Sequence, residues 1–227
     1  MSRHNRMASS IPLSLGQSLT GKLFFTGLGQ RQKDFSGDHG GLFGSLRNTV
    51  VNIYTVGHST RSFDELVSAL SGHGIVTLVD VRSFPMSRRL PHFNREVLEL
   101  ELPTHGINYA WMKELGGRRK KILNDSPNLA LRNDSFRNYA DYMMSDEFAG
   151  AIERLLEFAA RGKTAYMCAE RMYFQCHRML ISDYLTAHGH TVLHIDDETR
   201  PLREHKRMAE ARLVDGKLVY DGGVLRL

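Results

Sequence analysis

Two cysteines and one tryptophan are all that this 227-residue chain holds of those types. Two cysteines cannot build a disulfide framework, so the expected compartment is a reducing cytoplasm. No run of eighteen apolar residues occurs, which excludes a single spanning helix and argues against a membrane partner. The first residues lack a basic start leading into an apolar stretch, so no secretory signal is expected. Acidic residues are outnumbered, 25 against 30 lysines and arginines, for a net charge of +5 and a pI near 9.3. That balance permits nucleic-acid or phosphate partners without requiring them. What remains is ordinary for a globular chain: 41% hydrophobic and 24% charged residues.

Residues 1–50 differ from the rest. They carry only two acids, Asp34 and Asp38, and "GDHGGLFGSLRN" has the texture of a flexible arm. The expectation is a disordered or loosely attached extension, and a mis-assigned start codon would give the same pattern. A domain is expected over 51–200, followed by a polar C-terminal tail over 201–227.

From "VVNIYTVG" onward, short apolar runs alternate with amphipathic ones. "SFDELVSALSGHG" reads as a helix with Ser62 as N-cap and Glu65 completing a capping box. "IVTLVDVR", "INYAWM", "TAYMC" and "TVLHI" read as further strands. "NREVLELELPTHG", residues 135–144 and 146–160, and "CHRMLISDYLTAHG" read as helices. Beyond Asp196, "EHKRMAEARLVDGKLVYDGG" suggests a short helix and then the tail. The alternation predicts an α/β fold: a mainly parallel sheet of about five strands, helices on both faces, with Rossmann-like or rhodanese-like layering.

In such sheets ligands bind beyond the carboxyl ends of the strands. Gly57, His58 and Ser59 follow the first strand, and Asp80 with Arg82 ends the second. Gly116, Gly117 and Arg118 lie past the third; Cys168 and Glu170 close the fourth; His194 and Asp196 end the fifth. Cys176 falls at the start of a helix, with His177 and Arg178 next to it. Free N–H groups and nearby cations stabilise a thiolate, so Cys176 is the candidate nucleophile, with His177 as base or donor. Cys168 is read either as a second reactive thiol or as a small core residue. His58 and Glu170 complete the candidate catalytic set, and Gly57, Ser59, Asp80, Arg82, Arg118 and Arg178 the substrate-binding one. Asp80 and Arg82 have a second reading as a buried ion pair. A competing reading gathers Cys168, Cys176, His177 and His58 around zinc or iron, although their spacing matches no familiar metal knuckle. "GGRRKK" is a basic loop suited to phosphate, and Tyr109, Trp111, Phe84 and Phe93 would stack a base if they are not core. The cofactor stays open. The function classes that remain are an enzyme on an anionic substrate, nucleotide or nucleic acid, a non-catalytic nucleic-acid module, and a metal-binding or redox-sensing domain.

"YTVGHSTRSFDEL", "LVDVRSFPMS", "LPTHGINYAWMKELGG", "MCAE", "CHR" and "VLHI", in that order over residues 52–196, resemble the family called domain of unknown function 488. The resemblance implies an α/β fold and occurrence in the bacterial or archaeal cytoplasm. Its recurring positions map to Gly57, His58 and Ser59, to Asp80 and Arg82, to Cys168 and Glu170, and to Cys176, His177 and Arg178. It brings no reaction, although similar proteins are sometimes labelled DNA-repair proteins. The apolar "RMYFQ" between "CAE" and "CHR" departs from the pattern, and residues 1–50 have no counterpart in it. By a fainter analogy with rhodanese-type sulfurtransferases, through "VDVR" and the strand–cysteine–helix unit, Cys168 would carry sulfur.

Overall fold

The computed structural model describes residues 50–223, so the expectation for the N-terminal extension lies outside the described residues except at Val50. The chain runs β1 (Asn52–Gly57), α1 (Phe63–Gly72), β2 (Thr77–Asp80), α2 (Arg95–Glu101), β3 (Asn108–Trp111), α3 (Asp134–Tyr142), α4 (Asp146–Arg161), β4 (Thr164–Cys168), α5 (Arg178–Ala187) and β5 (Thr191–Ile195). Three short strands follow: β6 (Arg203–Glu204), β7 (Ala211–Val214) and β8 (Lys217–Tyr220). The main sheet has the order β3-β2-β4-β1-β5-β6 and is parallel except for β6. The expected mainly parallel α/β architecture is therefore what the chain forms. No described helix is long and apolar enough to cross a membrane.

Alternation along each strand builds two cores. Tyr54, Val56, Leu78, Ala165 and Met167 point to one face, under Leu66 and Leu70 of α1 and Leu98 of α2. Ile53, Val79, Tyr166 and Cys168 point to the other, under Tyr139 of α3, Phe148 and Leu155 of α4 and Leu180 of α5. Each fully buried large apolar side chain contributes about 1.5–3 kcal/mol. Burial on both faces is why these strands read as continuous apolar runs. Ser62 caps α1 as the sequence predicts: its Oγ accepts from Glu65 N at 3.1 Å, and Glu65 Oε2 accepts from Ser62 N at 2.7 Å.

The path of the chain decides where a cleft opens. β1 to β3 run toward one edge with α1 and α2 on one face, and β4 and β5 return with α3, α4 and α5 on the other. Right-handed crossovers require that arrangement. The connections therefore leave β2 and its neighbour β4 in opposite directions, which parts the loops at their carboxyl ends.

One element differs from the sequence reading. No helix forms over "EHKRMAEAR"; β6 pairs antiparallel with β5, and β7 and β8 form a hairpin. Asp215 and Gly216 both have positive φ, 49° and 75°, at the two-residue turn. An Asp-Gly pair between alternating apolar residues is a hairpin signal, and it prevails over the helix propensity upstream. The hairpin is anchored by Tyr220, whose hydroxyl donates to Asp183 Oδ2 at 3.1 Å and whose N–H donates to Asn128 Oδ1 at 2.9 Å.

Candidate active site

A cleft of about 660 Å³ opens between the β2 and β4 loops. Cys168, Cys176 and His177 form part of its lining, with Arg82, Arg118 and Glu170 around them. Six of the residues expected from the sequence thus share one space. Gly57, His58, Ser59, Asp80 and Arg178 do not line it; they lie behind it and hold its walls.

Cys168 ends β4, and Cys176 precedes α5 by two residues, so strand and helix bring the thiols together from eight positions apart. Both are nearly buried, 9% and 3% exposed. His177 stands beside them: its Nδ1 is 3.4 Å from Cys176 Sγ and 3.9 Å from Cys168 Sγ. Its other nitrogen, Nε2, is 3.0 Å from the carbonyl oxygen of Val81, which can only accept. Nε2 therefore carries a proton, and Nδ1 is the nitrogen that faces the thiols. Tyr139 sets its ring edge against His177, with centroids 5.1 Å apart, and fixes the imidazole plane.

Beneath the thiols lies Arg178, 1% exposed. Its Nη1 donates to Thr55 Oγ1 at 3.1 Å, and its Nη2 donates to the carbonyls of Glu170 at 2.6 Å and Arg171 at 3.0 Å. It forms no ion pair with a described carboxylate, and its Nε has no hydrogen-bond acceptor. A buried cation without a carboxylate favours an anion nearby. Its charge acts on Cys176. The hydrogen bond from the Cys168 thiol holds Cys176 well below the usual thiol range, helped by the hydrogen bond and charge of His177 and by the charge of Arg178. Cys168 is pushed up in turn, first by that same hydrogen bond and then by burial.

Arg82 is positioned differently. Its Nε and Nη2 grip both oxygens of Asp80 at 2.5–3.0 Å, and Nη2 also donates to the Phe93 carbonyl at 2.7 Å. Asp80 is fully buried and accepts further from Tyr109 Oη at 2.8 Å. Of the two readings open for this pair, the structure forms the buried ion pair. His58 stands behind it. Its Nδ1 donates to the Ser59 carbonyl at 3.0 Å, which leaves Nε2 to accept from Arg82 Nη1 at 3.3 Å. Burial and the Arg82 charge lower the His58 pKa to about 4. His58 thus orients Arg82 and is not directed at the thiols.

Backbone contacts fasten the remaining loops. His58 N donates to Cys168 O at 3.0 Å and Ser59 N to Ala169 O at 2.8 Å, so the turn after β1 is stitched to the loop after β4. Ser59 adopts φ 52° to make that turn. The Glu170 side chain is exposed on the cleft rim and its carboxylate has no hydrogen-bond partner among the described residues. Arg118 is exposed at the mouth, where its guanidinium lies 5.7 Å from the Phe84 ring. Of the four aromatics considered for base stacking, only Phe84 is free, 69% exposed. Phe93 is buried, Tyr109 serves Asp80, and Trp111 donates to the Arg82 carbonyl at 2.9 Å.

Two residues outside the expected catalytic and substrate-binding sets also shape the site. Ser83 Oγ accepts from Arg118 N at 2.9 Å and ties the basic loop to β2. Gly117 lies against the face of His177. The "LGG" run was the signal for the second, but nothing in the sequence says which ring it touches. As to metals, Sγ of Cys168, Sγ of Cys176 and Nδ1 of His177 all lie within 4.8 Å of one another, the sole such triple among the described residues. His58, the fourth donor expected from the sequence, is committed to Ser59 and Arg82.

The fold and site define a parallel α/β domain with a paired-thiol cleft at its strand ends. The family model for a domain of unknown function, DUF488, matches residues 62–185, more than half of the chain, and the chain belongs to that family. No curated protein and no solved structure matches it.

Proposed function

We propose that the cleft is an enzyme active site in which the Cys176 thiolate is the nucleophile and His177 its proton partner, acting on an anionic substrate the size of a nucleotide. The observation that carries this reading is the 3.4 Å approach of His177 Nδ1 to Cys176 Sγ above the unpaired Arg178. A thiolate, not a thiol, is the attacking species, and a neighbouring imidazole and a buried cation are what sustain one at neutral pH. His177 then returns a proton to the leaving group through Nδ1. Arg118 and the remaining Nη1–H of Arg82 receive the substrate's charge, and the exposed Phe84 ring offers a face to a base. The reading supposes a reducing, cytoplasmic setting, in which Cys176 rests as a free thiolate. Gly57, Ser59, Asp80, His58 and Arg178 serve as positioning residues.

Iodoacetamide alkylation of the full chain followed against pH tests it. The expected curve places Cys176 well below the roughly 8.5 of a free cysteine, and Cys176→Ala removes that phase. Two thiols that both titrate near 8.5 would end the nucleophile reading. Nucleotide or single-stranded DNA binding that weakens with salt, and with Arg118→Ala, checks the substrate class.

A further inference from the structure

We infer that Cys176 and Cys168 form an oxidisable dithiol pair, in which Cys176 is the site of attack on a small hydroperoxide and Cys168 resolves the product into a reversible disulfide. The inference rests on the reading of Cys176 as a thiolate and adds a second reaction to the same site. Three observations support it. The sulfurs lie within 4.8 Å of each other at the end of one strand and the approach to one helix. The two sulfurs are unlike: His177 Nδ1 lies 3.4 Å from Cys176 Sγ and 3.9 Å from Cys168 Sγ, and Cys176 stands at the approach to α5 while Cys168 ends β4. Both line the cleft, so a small hydroperoxide that enters it reaches them.

The chemistry balances in two steps. The Cys176 thiol gives its proton to Nδ1 of His177 and the thiolate attacks the outer oxygen of ROOH; an S–O bond forms, the O–O bond breaks, and RO⁻ takes that proton back from Nδ1 to leave as ROH. Sulfur is oxidised by two electrons and the peroxide reduced by two. Cys168 then yields its proton to Nδ1 of His177 and attacks the Cys176 sulfenic sulfur. The S–S bond forms, the S–O bond breaks, and hydroxide leaves as water with the proton that His177 returns. The sum is two thiols and one hydroperoxide giving one disulfide, one alcohol and one water. A resolving thiol within 4.8 Å limits the second oxidation to sulfinic acid, which would be irreversible.

Closing the bond draws Cys176 toward β4 and with it the 169–175 segment. Glu170 and Gln175 of that segment line the cleft, and Tyr173 is stacked on His194 with centroids 3.7 Å apart. The disulfide form therefore lacks the nucleophile and presents a changed cleft until a dithiol reduces it. Arg178 holds the Glu170 and Arg171 carbonyls of that segment.

The test begins with the unaltered full chain, purified without reductant and treated with one equivalent of hydrogen peroxide at pH 7. The expected product is 2 Da lighter, has a Cys168–Cys176 link by peptide mapping, and regains both thiols with dithiothreitol. Cys168→Ser is expected to stop at a sulfenic acid that dimedone traps, and Cys176→Ser to leave the chain unoxidised. Wild-type protein that yields a dimedone adduct or a sulfinic acid and no link overturns the dithiol pair. If alkylation still reports a low-pKa Cys176, the nucleophile reading survives that result; if both thiols titrate as free cysteine, both readings fall. Zinc or iron bound one to one, and lost with Cys168→Ser, likewise overturns the pair, because the sulfurs would then be ligands.

Discussion

Gly117 presents its α-carbon to the ring of His177 so closely that a Cβ there would stand 2.5 Å from Nδ1 and 2.7 Å from Cγ. Real Cβ contacts do not come that near, so Gly117→Ala must turn or push back the imidazole. Nδ1 is the atom that faces both thiols, and the displacement separates it from Cys176. The expected result is a Cys176 alkylation midpoint raised toward that of free cysteine, with a stability loss of about 1–3 kcal/mol from overpacking. Alkylation against pH and a urea melt measure the two effects. A Gly117→Ala protein with wild-type thiol chemistry would show that His177 does not set it.

Gly57 is constrained by backbone. A Cβ there would lie 1.9 Å from the Glu170 carbonyl oxygen, which Arg178 Nη2 holds from its other side. Gly57→Ala is therefore expected to cost at least about 1–3 kcal/mol and to disturb the 168–177 loop. Gly150, inside α4 with nothing within 4 Å of the added carbon, is the control. Gly150→Ala is expected to stabilise by about 0.5–1 kcal/mol through helix propensity. Thermal melts of the two variants should move in opposite directions.

How far the sequence foretells this site depends on the distance over which each contact is made. Ser62 and Glu65 meet three residues apart, and the "QCHR" run puts thiol, imidazole and guanidinium side by side, so both were legible. The alternation of apolar strands and amphipathic helices placed the strand ends, and with them Cys168 and Arg82, at one edge. His58 was assigned to the chemistry because a strand end says which edge a residue reaches, not which neighbour it bonds. Its commitment to Ser59 and Arg82 is tertiary. The packing of Gly117 on His177, sixty positions along, is likewise invisible without the fold. The Asp215-Gly216 turn was legible in principle, but "EHKRMAEAR" is rich in helix formers, and Tyr220 reaches Asp183 only in the folded chain.

Arg178 supplies a third test. Arg178→Met removes the buried positive charge beneath the thiols and leaves the Glu170 and Arg171 carbonyls without their donor. Each carbonyl left without its donor costs up to about 1–3 kcal/mol, less where water reaches it, offset in part by no longer burying an unpaired charge. The effect on the thiol is not offset: its alkylation midpoint is expected to rise by on the order of one pH unit. Arg178→Lys keeps the charge and loses the fork, so it should restore most of the thiol midpoint and little of the stability. A thiol midpoint unchanged in Arg178→Met would remove the guanidinium from the electrostatics of the site.

Two buried histidines predict the response of the fold to acid. Burial, then the Arg82 charge, holds His58 at about 4. Burial, then the charges of His205, Arg178 and Arg203, holds His194 at about 3. The geometry gives the same direction for His58, because protonating Nε2 would set an N–H against the N–H of Arg82 Nη1. Both values lie below the roughly 6.5 of an unfolded histidine, so between those limits the unfolded chain binds more protons than the folded one. The stabilisation is complete above about pH 6.5 and is lost as pH falls toward 4 and 3. By pH 5 each group should have cost roughly 2 kcal/mol. Urea midpoints at pH 7.5 and 5.0 give the total. His58→Gln, whose amide both donates and accepts without titrating, is expected to recover about half of the difference. An equal pH 5 loss in that variant would assign the acid sensitivity to other groups.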